Sequence, residues 1–375
     1  MSWTLFSMVL SIVVLGGLLA ATPWLMPPTE CFTITVPPSA QHDARIVNLK
    51  RLYALCVAGV SIACALGLAR ALTTVENGSP TEAQLVFLSV VITVTTLIPI
   101  VASFILMLHA RSRVKALKEQ EGWTAQTHRS AALIVDDFPG PLPLAWNLLY
   151  IPLVLGMVVF ALLSYDRFPD QIPMNADFSG NVNNYVDKSL GSVLFPAMFA
   201  AFMGLVFTFT HWMSTISKKP VDPAAPATSA LAYGRFARLQ SLLMLIGGLT
   251  LSATVGITFY LSALQVLSLE VSAAIITVVA LIWVGIVIVF SALTGQAGGR
   301  LAAQLRTTDE VAADDDEHWV LGAFYFNPQD PSLIVPKRFG IGWTINHARP
   351  IAWLTIGALI AFTIGFSILI TWAVA

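Results

Sequence analysis

The sequence predicts an all-α integral membrane protein: eight transmembrane helices with a small cytosolic strand-and-turn module before the last helix. Three observations predict it. The chain is 56% hydrophobic and only 11% charged, against roughly 25% charged in an ordinary soluble domain. Such a chain cannot cover a water-facing surface. Its apolar residues fall into continuous runs of the length that crosses roughly 30 Å of hydrocarbon as a helix, about 20 residues. The basic residues then segregate between alternate connections, as the positive-inside rule requires of a polytopic chain.

The runs cover residues 3–22, 52–72, 84–108, 146–164, 192–213, 239–264, 271–293 and 351–374. They are continuous rather than alternating, which excludes a strand barrel. The only formal charge within them is Arg70, near a helix end where its long stem can reach the interface. No basic residue precedes the first run, so it reads as a retained helix rather than a cleaved signal peptide.

Seventeen of the 20 Lys and Arg lie in the segments 23–51, 109–145, 214–238 and 294–350. The opposite connections hold only Arg70, Arg167 and Lys188. This places four loops in the cytosol and both termini outside. The chain therefore divides into residues 1–164, helices one to four with cytosolic loops 23–51 and 109–145, and an extracytoplasmic loop at 165–191. Helices five to seven follow at 192–293, then a cytosolic module at 294–350 and the last helix at 351–375.

Small residues recur every four positions at Gly59, Ala63 and Gly67, at Gly248, Ser252 and Gly256, and at Gly357, Ala361 and Gly365. Such strips let backbones approach closely, and all three read as packing within the chain. Pro152 and Pro196 fall early in their spans, whereas Pro99 lies mid-span and predicts a kink.

The search for chemistry returns little. No ionisable residue sits near the centre of a span, where pumps and proton relays carry theirs. No phosphate-binding GxxxxGK[ST] loop or HExxH pair occurs, so no catalytic residue and no cofactor is assigned and the chain reads as non-enzymatic. A net charge of −1 offers no basic field for nucleic acid. The three cysteines give no disulfide framework. All six histidines (His42, His109, His128, His211, His318 and His347) fall on the cytosolic side with the acidic run 314–317, but no two share a helix turn. No metal site is assigned.

Two segments outside the spans remain. In the outer loop, Phe168, Ile172, Phe178 and Tyr185 are placed to fold it onto the helix ends. The inner segment can extend the seventh helix and then fray, with Gly298–Gly299 loosening it, cross an acidic hinge, and form short strands at Trp319–Phe326 and Leu333–Val335 around the turn "NPQDP". Trp319, Phe324, Tyr325, Phe326, Phe339 and Trp343 fit an aromatic interface belt. Lys337, Arg338 and Arg349 fit partners for anionic headgroups.

At these segments the sequence resembles a bacterial family of uncharacterised multipass membrane proteins. The outer loop is similar to a domain shared with the membrane immunity protein of the sporulation-delaying killing-factor system, through Pro169, Asp170, Ile172, Pro173, Gly180 and Tyr185. It departs at Asn175, where His is usual, and at Asn183, where Asp is usual, so a cation or proton at that loop is not carried over. The inner stretch "GAFYFNPQDPSLIVPKRFGIGWTIN" resembles a second uncharacterised domain. Its matching positions include Phe324, Tyr325, Asn327, Pro328, Asp330 and Pro331, then Pro336, Lys337, Arg338, Gly340, Gly342, Trp343 and Asn346. The stretch "FTITVPPS", 32–39, is similar to a further short element of such proteins.

The resemblance implies envelope sensing or toxin immunity in a bacterial cytoplasmic (inner) membrane, with the lipid bilayer, an extracellular peptide and a cytosolic regulatory protein as partners. A transporter or permease component for a hydrophobic or peptide substrate is the alternative, favoured by eight spans and disfavoured by the lack of midplane polar groups. A membrane enzyme at the cytosolic face would rest only on the histidines and the Asp-rich run.

Overall fold

The computed structural model describes residues 3–73, 81–123, 139–176, 182–219, 226–304, 314–340 and 342–374. Among them, eight helices are long and apolar enough to cross a membrane. They are α1 (Trp3–Leu25), α2 (Ala44–Thr73), α3 (Glu82–Glu121), α4 (Tyr150–Leu163, preceded by a 3-10 turn at Leu144–Leu149), α5 (Leu190–Thr215), α6 (Pro226–Ala263), α7 (Leu269–Thr294) and, after a short α8 (Gly299–Gln304), α9 (Pro350–Val374).

The helices begin where side chains replace missing backbone partners. Thr81 caps α3: its Oγ1 accepts from the Gln84 amide at 3.3 Å while the Thr81 amide donates to Gln84 Oε1 at 2.9 Å. Ser189 and Ser192 form the same box on α5. Ser268 caps α7, which ends at Gly295 with φ of +70°.

Packing divides the spans into two neighbouring groups. Helix α2 lies between α1 and α3, while α6 lies against α5 and α7 with α4 alongside; α1 meets α7, and α9 leans on α5. The last contact is aromatic, with Phe362 and Phe366 stacked on Phe202 at 5.5 and 4.1 Å.

Several helices run past the limits that hydropathy alone marks. Helix α3 continues beyond residue 108, and α2 and α6 start well before residues 52 and 239, so parts of the segments 23–51, 109–145 and 214–238 are helical. The reason is visible in α3. Met107, Ala110, Val114 and Leu117 keep the helical spacing of three and four, and they pack on a core formed by Cys31, Phe32, Ile34 and Val36. Those last residues belong to the hairpin of β1 (Glu30–Cys31) and β2 (Ile34–Thr35), which plugs the ends of α2 and α3.

Only one of the three small-residue strips is a packing surface. Side-chain atoms added at Gly248 and Gly256 would overlap Tyr150 and Met157, so these glycines set the α4–α6 spacing. Gly59, Gly67, Gly357 and Gly365 meet nothing within 4 Å. The expectation of internal packing fails there because the strip pattern recurs on faces turned away from the bundle. The α1–α2 approach instead uses Gly16 against Ser61. Helix α3 runs through Pro99 without interruption.

The 294–350 segment also differs from its expectation. Helix α7 ends at Thr294, earlier than the loosening expected at Gly298–Gly299: Gly295 and Ala297 (φ +50°) break it before α8 begins. Trp319–Phe326 is not one strand but a tight hairpin of β5 (Trp319–Val320) and β6 (Phe324–Tyr325), turned at Leu321 and Gly322, both with positive φ. A second hairpin pairs β7 (Ile334–Pro336) with β8 (Trp343–Ile345). At the other end of the bundle, β3 (Gln171–Ala176) pairs with β4 (Val182–Asp187).

Candidate functional site

The centre of the module is a buried arginine. Arg338 sits between the two hairpins and α3, with its guanidinium stacked over the Trp319 ring at 5.4 Å. Its Nη1 donates to Asp316 Oδ1 and to the Thr33 carbonyl at 2.9 Å. Its Nη2 donates to Asp315 Oδ1 and to Thr35 Oγ1 at 3.1 Å, while Nε lies 3.6 Å from Glu30. Asp316 accepts further from Thr35 Oγ1 at 2.8 Å and from Lys118 Nζ on α3 at 2.7 Å. A planar fork with five donors suits this crowd of carboxylates and carbonyls; an ammonium would not.

Arg338 is therefore not a headgroup ligand, as its neighbour Lys337 suggested. The pair splits: Lys337 is exposed, Arg338 buried. Local sequence cannot separate them, because Arg338 is sequestered by residues about 300 positions earlier.

The β1–β2 turn that this arginine grips is strained. Phe32 and Thr33 both hold positive φ, +43° and +66°, in a two-residue hairpin turn where Asn and Gly are usual. The Thr33 carbonyl accepts from Arg111 Nη1 at 2.7 Å as well as from Arg338. Gly322 lies against the Thr33 side chain with no room for a Cβ. Two arginines from distant segments thus hold a turn that β-branched and aromatic residues disfavour.

Electrostatics follow the geometry. Burial works against ionisation of Asp316, but Arg338, Lys118 and Thr35 outweigh it and hold the carboxyl at about 2. Glu30 goes the other way. Burial, with Asp315 and Asp316 nearby, outweighs Arg338 and pushes its carboxyl up to about 7, and its Oε2 is buried with no hydrogen-bond partner. A carboxyl raised in the folded state disfavours folding increasingly as pH rises from its unfolded value of 4.5 to about 7. Glu30→Gln should remove that penalty, worth at most about 3 kcal/mol. Thermal unfolding of the detergent-solubilised protein between pH 5 and 8 checks it: the variant should gain on the wild type as pH rises.

A second node closes the "NPQDP" turn. Asp330 accepts from Lys218 Nζ at 2.6 Å and from the Tyr325 hydroxyl at 2.8 Å. Burial opposes its charge, yet Lys218, the Ser332 amide and Tyr325 hold it well below the usual carboxylate range. Asn346, fully buried, bonds the turn at three points: its Nδ2 donates to the carbonyls of Asn327 and Asp330, and its Oδ1 accepts from the Asn327 amide and also from that of Ala348. Asn327 Oδ1 accepts from the amides of Gln329 and Asp330. Arg349 donates to the Asp330 carbonyl at 2.6 Å rather than facing outward.

This node ties the module to two spans. Just beyond α5, Ser217 bridges to Ile334 and the Lys218 amide donates to the Ile334 carbonyl at 2.8 Å. Just beyond α7, Gln296 exchanges hydrogen bonds with both backbone groups of Gly342, whose φ of +108° is open only to glycine. Gly340, at +85°, makes the adjoining turn.

The module positions singled out from sequence therefore separate by role. Trp319, Tyr325, Asp330, Arg338 and Asn346 are interior, and Pro336 and Trp343 are paired strand partners. Phe324, Pro328, Pro331 and Lys337 are exposed. The aromatic belt divides likewise, with Trp319 and Tyr325 packed on Val335 and Phe339 set edge-on to Tyr53 at 6.4 Å.

At the opposite end, Phe168 and Ile172 are buried against Tyr260 of α6, together with Ala197 of α5. Pro173 is buried and Pro169 half-buried, whereas Asp170 and Tyr185 are exposed. Lys188 fixes the hairpin base, donating to the Phe168 carbonyl at 3.0 Å over the Tyr165 ring. Gly180, Phe178 and the side chains of Asn175 and Asn183 lie outside the described residues.

The described histidines do not converge on one site. His211 is buried in the bundle, satisfied by Asn147 at 2.9 Å and the Leu142 carbonyl at 3.1 Å. Among the described residues no group of three or more His, Cys, Asp or Glu is placed to hold a metal; His128 lies outside them.

Residues 153–200 match the model of a domain of unknown function, DUF1648, and residues 328–353 that of a family of unknown function, DUF5808. The first spans α4, the β3–β4 hairpin and the start of α5; the second spans the "NPQDP" turn, β7–β8 and the start of α9. No curated protein and no solved structure matches the chain. Fold and matches together define a multi-pass helical membrane protein that carries two domains of unknown function.

Proposed function

We propose that this chain is a non-enzymatic signalling or toxin-immunity protein of a bacterial cytoplasmic membrane. Its β3–β4 hairpin meets an extracellular peptide and its 294–350 module holds a cytosolic regulatory protein, with both termini outside.

The observation that carries the reading is the placement of α5. This helix starts at Leu190, three residues after β4, and ends at Thr215, three residues before Lys218 grips Asp330. At 1.5 Å per residue it is a single rod of about 39 Å. It joins the outer hairpin to the inner module without an intervening loop. A displacement of the hairpin therefore has a direct route to the Tyr325–Asp330–Lys218 node, and the exposed Asp170 and Tyr185 are the positions at which a peptide would act. The strained Phe32–Thr33 turn, clamped by Arg111 and Arg338, is a second element whose release would change the module's surface.

The test is genetic. Cells lacking the protein should become more sensitive to at least one envelope-active peptide in a panel, and Asp170→Ala with Tyr185→Ala should reproduce the loss at normal protein level. Unchanged sensitivity across the panel would overturn the reading. Substrate uptake or efflux in vesicles would favour a transporter.

A further inference from the structure

The outer face of the β5–β6 hairpin is apolar where a solvated hairpin would be polar. In a strand, successive side chains point to opposite faces, and a one-sided hairpin alternates apolar with polar. Here Trp319 and Tyr325 turn inward onto Val335, while Val320 and Phe324 point outward and are exposed. The turn residue Leu321 is 53% exposed and Phe326, just past β6, 50% exposed. His318, whose carbonyl accepts from the Phe326 amide, and the exposed Glu317 border this face where the hairpin opens; from there to the turn the described residues on it are apolar.

The face is not isolated. The Phe324 ring meets His347 edge-on at 5.4 Å, and His347 meets Trp353 of α9 at 5.5 Å. Trp353 donates its Nε1–H to the His347 carbonyl at 3.2 Å, with Ile351 and Leu354 exposed beside it in the first turns of α9. Helix α9 is apolar along its length and touches the bundle chiefly through α5. Its remaining surface is what a bilayer covers. The hairpin face continues that surface through the ring contacts, at the level where tryptophan indoles prefer to sit.

From this continuity we infer that the β5–β6 hairpin is seated in the interfacial layer of the bilayer, with Val320, Leu321, Phe324 and Phe326 against phospholipid. Phospholipid is the occupant. The module is then a membrane-anchored shelf whose far edge, at Pro328, Gln329, Pro331 and Lys337, is open to water. That edge, not Phe324, is what a soluble partner would meet.

Nitroxide accessibility tests the placement. Cys31 and Cys64 are buried and Cys56 is exposed, so Cys56→Ser gives a background with little labelling of its own. Single labels go in at Leu321→Cys and Phe326→Cys, and for comparison at Gln329→Cys and Lys337→Cys. All four positions are exposed, so no label displaces core, and either hairpin position alone carries the comparison. The protein is reconstituted in phosphatidylethanolamine–phosphatidylglycerol vesicles. Collision with oxygen, which partitions into lipid, is compared with collision with a water-soluble nickel chelate. The oxygen-to-nickel ratio at 321 and 326 should exceed that at 329 and 337 several-fold. Equal ratios would mean a solvated hairpin and overturn the inference. Suppression of both collisions at 321 and 326 would mean a protein partner or second copy on this face, and would overturn it equally.

Discussion

Replacing Arg338 by alanine should destabilise the protein by about 3–5 kcal/mol, the cost of removing one partner from a buried ion group. The size follows from what stays behind. Glu30, Asp315 and Asp316 would face one another without their shared cation, and the Thr33 carbonyl and Thr35 hydroxyl would each lose a donor. The Trp319 ring would lose its cationic partner too. Arg338→Lys should recover only part, because an ammonium cannot bond both aspartates and both threonines at once. Combining Arg338→Met with Asp315→Asn and Asp316→Asn should recover more, since the carboxylates left unpaired are the larger penalty. Lys337→Ala, one residue away and exposed, should stay within about 0.5 kcal/mol. Thermal unfolding in one detergent at one pH ranks the four variants. If Arg338→Ala and Lys337→Ala proved equal, the buried node would be wrong.

The second large effect lies within the bundle. Gly248→Ala places a methyl group where the Tyr150 hydroxyl and the Phe207 ring already stand. Overpacking of a dense interface costs about 1–3 kcal/mol, and the ring of Tyr150 has little freedom because Gly204 holds its other side. Gly357→Ala and Gly365→Ala carry the same chemical change on an open face and should be neutral or slightly favourable for the helix. The contrast within one small-xxx-small grammar is the check, read by thermal unfolding of the three purified variants.

That contrast also shows where sequence reading stops. Spans are legible because a bilayer imposes a length on apolar runs, and all eight fall where hydropathy puts them. Which face of a span meets another helix depends on partners far along the chain, so three equal strips could not be told apart. The helical tail of α3 was legible in principle, since Met107, Ala110, Val114 and Leu117 continue the apolar stripe beyond the hydrophobic limit. The module's aromatic and turn residues marked it as structured, yet their roles were not readable. A basic pair beside a membrane span looks like a headgroup site until Glu30 and Thr33, some 300 residues earlier, enclose one of the two. Asn346 could not be read from its neighbours either; three of its four side-chain bonds go to Asn327 and Asp330 in a turn 16 to 19 residues before it.

The central claim is that α5 couples the outer hairpin to the inner module, and hydrogen exchange under perturbation tests it most directly. Phe168→Ala removes the ring that seats the hairpin on Tyr260 without touching the module. Exchange is then followed by mass spectrometry at the amides of Lys218 and Asn346, which donate to the Ile334 and Leu333 carbonyls, and across α1–α3. The account predicts faster exchange at the hairpin and at those two module amides, with α1–α3 unchanged. Faster exchange at the hairpin with full protection kept at Lys218 and Asn346 would contradict it.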